Sequence, residues 1–282
     1  MSIMKRKTLY IILAVLFAVI LVEGYLYYKS MKYYKEPVPE AVSIADLQAR
    51  EALGISEVVD DESEGEESPE GEGDDFVHEE GVKRGEYEDD GVPEQLNLSA
   101  PFFSQAPYGN WDYPWQEACE EASVLIVANV YFDRGWTKSE FNDEILDLVE
   151  WEKQRFGQYE HTSVEETVEI LEDYLGLEAV VHEDPSFEDI QQVLADGHLI
   201  VMTFAGKRLG NPFYTNGGPN YHAMVIKGYK KDNKIITHDV GTRRGEDYVY
   251  SWSVIKDSMH DYAEPIESGA KMMIEVIPPA TQ

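Results

Sequence analysis

The chain of 282 residues is long enough for one large or two small domains, and its 43% hydrophobic residues can build a substantial core. Its 55 acidic and 23 basic residues give a formal net charge of −32. Nucleic acid is therefore excluded as a partner, because no basic surface could displace its counterions. A single cysteine excludes an internal disulfide and a cysteine zinc cluster, which leaves Cys119 for burial or for chemistry.

The N-terminal residues predict attachment to a membrane. A basic leader over 1–8 precedes a largely apolar stretch over 9–28, whose length matches the roughly 20 residues that cross a bilayer. We predict an uncleaved transmembrane anchor in the cell membrane, with the leader in the cytoplasm and the rest of the chain outside. Two alternatives stay open: a signal peptide that is cleaved after Gly24, and a buried core helix.

An acidic region follows the anchor. Residues 57–94 contain 18 acidic and two basic side chains and few aromatic ones. Such a composition cannot bury enough apolar surface to offset the entropy of ordering. We predict a disordered, extended tether over 29–95, with a possible short helix within 37–55, and a folded domain over 96–282. A calcium-binding acidic loop is the alternative, although the spacing matches no EF-hand.

The folded domain reads as helices followed by strands. An apolar helix runs from about Ala118 to Phe132, and its lack of a polar face predicts burial on all sides. Capping signals predict three further helices; these are Thr137 with Glu140, Thr162 with Glu165, and Ser186 with Asp189. Strands are predicted over 199–205, 222–229, 234–240, 248–252 and 271–277. The order indicates an α+β domain with helices packed on an antiparallel sheet.

Cys119 is the candidate nucleophile. It opens the most apolar helix, where the helix dipole and the free N–H groups of the first turn favour a thiolate. His222 is the candidate base, because it begins a strand directly after a glycine-containing loop. Five further histidines are more typical of structural or solvated positions; they are His78, His161, His182, His198 and His238.

Asp239 ends the next strand and could orient His222. A two-residue turn at Asp232-Asn233 would place Asp239 opposite Ile226, about 13 Å along the strand from His222. The hairpin must then be longer, bulged or strongly twisted. Otherwise Asn220 or Asp247 would orient the histidine.

Four segments together resemble a known family. They are Pro101-Phe102-Phe103-Ser104-Gln105, Gln116-Glu117-Ala118-Cys119-Glu120-Glu121-Ala122-Ser123, Tyr221-His222-Ala223-Met224-Val225 and Asp239-Val240-Gly241-Thr242-Arg243-Arg244-Gly245. Over about 98–280 the chain is similar to the papain-fold cysteine peptidases named for bacteriocin processing, specifically to their exported, stand-alone relatives. Bacteriocin-processing members usually carry glycine soon after the cysteine, where this chain has Glu120.

The resemblance implies a papain-like fold and a set of roles. Cys119 would be the nucleophile, His222 the general base and Asp239 the orienting acid. Gln105 would donate to the oxyanion, with Gln116 in reserve. No metal or cofactor is implied.

The resulting hypothesis is a membrane-anchored cysteine peptidase that cleaves peptide or amide bonds outside the cytoplasm. Its expected partners are a peptide or protein substrate and the membrane, and we expect a monomer. Two alternatives remain open. One is a cell-wall amidase or transferase with the same triad, and the other is a surface binding module without catalysis.

Overall fold

A computed structural model describes residues 16–25, 35–52 and 92–279. Residues 16–25 are helical, and the remainder of the predicted anchor over 9–28 lies outside the described residues. Within the described ranges, no helix has both the length and the apolar character needed to cross a membrane.

Helices and strands follow one another along the chain. The helices are α1 Ile44–Ala52, α2 Cys119–Tyr131, α3 Lys138–Arg155, α4 Val164–Glu169, α5 Phe187–Ala195 and α6 Trp252–Ser258. A π-helical turn, Ile170–Tyr174, continues α4. The strands are β1 Leu96–Asn97, β2 Glu178–Glu183, β3 Leu199–Ala205, β4 Tyr221–Lys230, β5 Lys234–His238, β6 Tyr248–Ser251 and β7 Met272–Ile277.

The strands form one sheet in the order β2-β7-β3-β4-β5-β6, with β1 paired to β4 outside this path. All of these pairs are antiparallel. Helix α2 packs on β3 and β4 and also contacts α3. Ala122 and Leu125 of α2 and Val225 of β4 are fully buried in this layer. The predicted combination of helices with an antiparallel sheet is confirmed, and it holds the start of α2 against the start of β4.

Local sequence signals set most helix starts. Thr137 with Glu140 and Ser186 with Asp189 form capping boxes at the starts of α3 and α5, as predicted. The third box lies one residue later than predicted, because Ser163 rather than Thr162 caps α4. The strand predicted over 248–252 ends at Ser251, whose hydroxyl accepts from the Val254 N–H and so begins α6.

Part of the predicted tether over 29–95 is packed on the folded domain. Residues 35–52 contact the domain and are not disordered. Val42 forms a parallel bridge with Leu98, and Ile44 and Leu47 of α1 pack against the core. Burial of these apolar side chains therefore stabilises the packing of residues 35–52 on the domain, whereas the neighbouring acidic region has few such side chains. Residues 53–91, which include most of the acidic region, lie outside the described residues.

Candidate active site

Cys119 lies at the first turn of α2. A short 3-10 helix, Trp115–Glu117, leads into Ala118, and α2 begins at the cysteine itself. The side chain is 5% exposed and lines a cavity of about 680 Å³. Its backbone N–H belongs to the group of helix-start donors that have no partner within the helix. The cysteine is thus buried beneath a cavity, next to free backbone donors.

His222 borders the same cavity from the sheet. It pairs with Phe204 across β3 and β4, and its side chain is 1% exposed. The neighbouring Ala223 N–H points to the Cys119 sulfur and favours its ionised form. The antiparallel pairing of β3 with β4 therefore fixes His222 beside the nucleophile predicted from the sequence.

The two ring nitrogens of His222 have different surroundings. Nε2 lies 2.9 Å from Oδ1 of Asp239. Nδ1 is buried and has no hydrogen-bond partner among the described residues. An ionised Asp239 only accepts, so Nε2 carries a hydrogen, and in the neutral ring Nδ1 keeps its lone pair. This tautomer is the one in which Nδ1 can take up a proton.

Two irregularities of the β4–β5 hairpin bring Asp239 to His222. Lys230 pairs with Lys234, so the loop has three residues instead of two. This loop and a bulge at Lys227 each move Asp239 one residue closer along the strand to His222. Val225 then pairs with His238, which places Asp239 level with Met224. The offset from His222 falls to two residues, or about 7 Å along the strand. Side chains on one face of the sheet can bridge that distance.

Asp239 is fully buried and accepts five hydrogen bonds. The N–H groups of His222 (2.9 Å) and Gly241 (3.1 Å) donate to Oδ1. The Asn211 amide (2.8 Å) and the hydroxyls of Tyr214 (2.7 Å) and Tyr250 (2.6 Å) donate to Oδ2. Burial alone would raise the Asp239 pKa, but the positive charge of a protonated His222 and these donors outweigh burial and lower it. The acid is therefore held as a carboxylate.

Neither alternative partner predicted for His222 is placed to orient it. Asp247 accepts from the Lys227 amine at 2.8 Å and lies 4.0 Å from His238. Asn220 is exposed, and its carbonyl accepts from the Gly206 N–H. Among the three residues considered for this role, Asp239 is the one in contact with His222.

Gln105 reaches the cavity but its amide is already engaged. The side chain is 3% exposed, and its Nε2 group donates to the carbonyls of Trp115 (2.9 Å) and Gln116 (3.1 Å). Donation to an oxyanion would require one of these bonds to be exchanged. The Gln116 side chain is exposed and lines the same cavity. Both glutamines predicted from the sequence are thus at the site, with Gln105 bridging to the turn before Cys119.

The electrostatic surroundings of Cys119 differ from those expected at a helix start. Burial raises the pKa of the thiol well above its ordinary value, and the charge of Glu120 raises it further. The contribution of the first turn of α2 is therefore outweighed by desolvation. The thiolate needs stabilisation from groups that the helix start does not supply.

The remaining histidines within the described ranges have structural contacts. His182 and His198 each lie 2.6 Å from a different oxygen of Glu275, and His238 lies 3.0 Å from the Ala100 carbonyl. Burial lowers the pKa of His238 to about 4, so this side chain stays neutral. His78 lies outside the described residues.

Four residues of the site were not expected from the sequence. Asn211 and Tyr214 bind Asp239 from the loop that precedes β4, and Tyr250 binds it from β6, so no local spacing links them to Asp239. Glu120 contacts the Cys119 sulfur; its signals in the sequence were its place where glycine is usual and, with Glu121, its acidic character at the start of an apolar helix. No group of three or more metal-ligating side chains comes together in the described ranges.

Comparison with known proteins identifies the family of the region that carries the site. The model of the Peptidase_C39 like family matches residues 97–264, which includes every segment of the site. The chain belongs to this family. Membership supports a cysteine-peptidase type of hydrolase and the fold expected from the sequence.

Curated and solved proteins add little to the family match. A crystal structure from Bacillus anthracis, described as that of a C39-like peptidase, matches at 14% identity with a TM-score of 0.43. The alignment covers 66% of this chain and 99% of that one. No curated protein gives a significant match to the chain.

Proposed function

We propose that the chain is a cysteine peptidase-like hydrolase that cleaves peptide or amide bonds with Cys119, His222 and Asp239. One observation carries the proposal. Asp239 holds Nε2 of His222, while Nδ1 is left without a partner beside the buried Cys119. A base that is oriented at one nitrogen and free at the other is what thiol activation requires.

The steps follow from this arrangement. His222 Nδ1 takes the thiol proton, and the Cys119 sulfur attacks the carbonyl carbon of the substrate. The Cys119 N–H stabilises the oxyanion, and an oriented donor of this kind contributes about 3 kcal/mol. The Gln105 or Gln116 amide is the proposed second donor. His222 then protonates the leaving amine, and water activated by the same nitrogen hydrolyses the thioester.

Cleavage of a peptide library by the full chain tests this assignment. Products are identified by mass spectrometry, and the best peptide is then used for kinetics. We expect Cys119→Ala and His222→Ala each to lower kcat/KM by roughly 10³-fold or more. Cleavage of that peptide by the Cys119→Ala variant would refute the thiol mechanism.

We also propose that the chain is anchored in the cell membrane by residues 9–28, with its catalytic domain outside the cytoplasm. The helical residues 16–25 support this proposal, because large apolar side chains such as Phe17 (64%) and Ile20 (63%) are exposed. An anchored chain stays in the membrane pellet through a carbonate wash. A mature N-terminus at Tyr25 would instead show a cleaved signal peptide.

A further inference from the structure

Glu120 is in direct contact with the proposed nucleophile. Its Oε2 atom lies 2.9 Å from the Cys119 sulfur, and the side chain is 1% exposed. No role in the triad accounts for an acid at this position. A buried carboxyl against a thiol has two possible hydrogen-bond patterns, and they have opposite consequences for the sulfur.

The charged and titratable groups around Glu120 determine whether its carboxyl is protonated. His222 acts on it from β4 and favours its ionised form, whereas Glu117 from the preceding turn disfavours that form. Glu120 in turn acts on Tyr221 of β4, on Glu121 of α2 and on Glu152 of α3. His222 is the one member of this set that can carry a positive charge. Burial raises the pKa of Glu120 to about 7, so the carboxyl exchanges its proton near neutrality.

We propose that Glu120 is a further catalytic residue that switches the Cys119 nucleophile by its own protonation. When protonated, its carboxyl O–H donates a hydrogen bond to the thiolate. When ionised, it accepts from the thiol S–H and holds the sulfur in its unreactive form. This proposal rests on the function proposed above, since it concerns the same nucleophile.

The proton balance of the switch is simple. In the active form the thiol S–H bond breaks, the proton goes to Nδ1 of His222, and the electron pair stays on sulfur. Glu120 keeps its own O–H bond throughout. In the inactive form Glu120 has released its proton to water, and its negative charge opposes a second negative charge on the adjacent sulfur.

This switch predicts an unusual direction of pH dependence. An ordinary thiol becomes more reactive as pH rises, because its thiolate fraction increases. Here reactivity should fall as pH rises from 6 to 8, through the pKa of about 7 of Glu120. A purely structural role for Glu120 would leave the ordinary direction unchanged.

The rate of Cys119 alkylation by iodoacetamide measures this directly in the full chain. Cys119 is the one cysteine of the sequence, so the label reports on this sulfur alone and Cys119→Ala is the blank. Glu120→Gln keeps the shape and supplies a permanent neutral donor. The matched control is Glu150→Gln, because Glu150 is exposed on α3 and its carboxylate accepts from Gln154 instead of contacting the sulfur.

We expect the wild-type alkylation rate to fall from pH 6 to pH 8, and Glu150→Gln to follow it. Glu120→Gln should be alkylated roughly tenfold faster than wild type at pH 8, because pH 8 lies one unit above the Glu120 pKa of about 7, where about a tenth of the wild-type carboxyls keep their proton. A wild-type rate that rises steadily over this range would overturn the switch, even if Glu120→Gln fails to fold. Superimposed profiles of wild type and Glu120→Gln would overturn it as well.

Alkylation does not depend on turnover, so the two proposals fail separately. If the wild-type alkylation rate falls with pH, Glu120→Gln reverses this fall and the chain cleaves no peptide, the switch is supported and the peptidase proposal is refuted. If Cys119→Ala loses cleavage while wild type and Glu120→Gln have identical alkylation profiles, the peptidase proposal is supported and the switch is refuted.

Discussion

Gly241 lies so close to His222 that no larger residue fits between them without movement. A Cβ atom on residue 241 would lie 2.8 Å from Cε1 and 3.2 Å from Nε2 of the imidazole. The Gly241 N–H also donates to Oδ1 of Asp239 at 3.1 Å. The loop after β5 therefore positions both members of the His222–Asp239 pair.

Gly241→Ala is expected to impair the site more than the fold. The new methyl group must push the imidazole or the loop aside, and displacements near 1 Å cost up to about 10²-fold in rate. We expect kcat/KM to fall by roughly 10–10² with a small change in Tm. Gly24→Ala is the control, because Gly24 has no positive φ and an added Cβ meets nothing within 4 Å there. Unchanged kinetics in Gly241→Ala would mean that the ring position is not critical.

Asp239→Asn is expected to be damaging on two counts. An amide has one acceptor oxygen, so its NH2 group must face either the His222 and Gly241 donors or the three donors at Oδ2. Buried donors left without an acceptor cost about 1–3 kcal/mol. We expect a lower Tm and a fall in kcat/KM of roughly 10²–10⁴. Tyr250→Phe, which removes one Oδ2 donor, should cause a smaller loss in the same direction.

The sequence predicts much of the fold because the relevant signals are local. Capping boxes at Thr137 and Ser186 and the alternation or burial of strand residues depend on neighbours a few positions away. The association of residues 35–52 with the domain was missed for the opposite reason. Val42 contributes one apolar side chain, and its partner Leu98 is more than fifty positions distant.

The three triad candidates are predictable from the sequence, but the residues that surround them and the electrostatics of the site are not. Cys119, His222 and Asp239 each lie next to a recognisable element start or end, and the four-segment resemblance groups them. The balance between helix dipole and desolvation at Cys119 depends on how completely α2 is covered. Burial dominates, and the thiol pKa is raised rather than lowered.

A pair of buried glutamates is expected to make stability decrease with rising pH. Glu121 of α2 faces Glu152 of α3, and burial raises both pKa values, that of Glu152 to about 8. A carboxyl with a raised folded-state pKa stabilises fully below its ordinary value of 4.5 and loses this contribution as pH rises through about 8. We expect Tm to fall between pH 5 and pH 8.

Glu152→Gln tests the origin of this decrease. The neutral amide removes one of the two titrating groups, so the fall in Tm between pH 5 and pH 8 should become smaller. Glu150→Gln on the same helix is the control, because that side chain is exposed and binds Gln154. An equal fall in Glu152→Gln and wild type would assign the effect to the overall negative charge instead.

Val42→Pro is expected to weaken the contact between residues 35–52 and the domain. Proline removes the Val42 N–H, which donates to the Asn97 carbonyl at 2.8 Å, but keeps the Val42 carbonyl that accepts from Ser99 at 2.8 Å. Losing one such bond costs about 1 kcal/mol, so Tm should fall by roughly 2–4 °C. Ala41→Pro is the control, because Ala41 is exposed. Differential scanning fluorimetry of the full chain distinguishes the two variants. Equal melting temperatures for wild type and Val42→Pro would show that residues 35–52 add nothing to the stability of the domain.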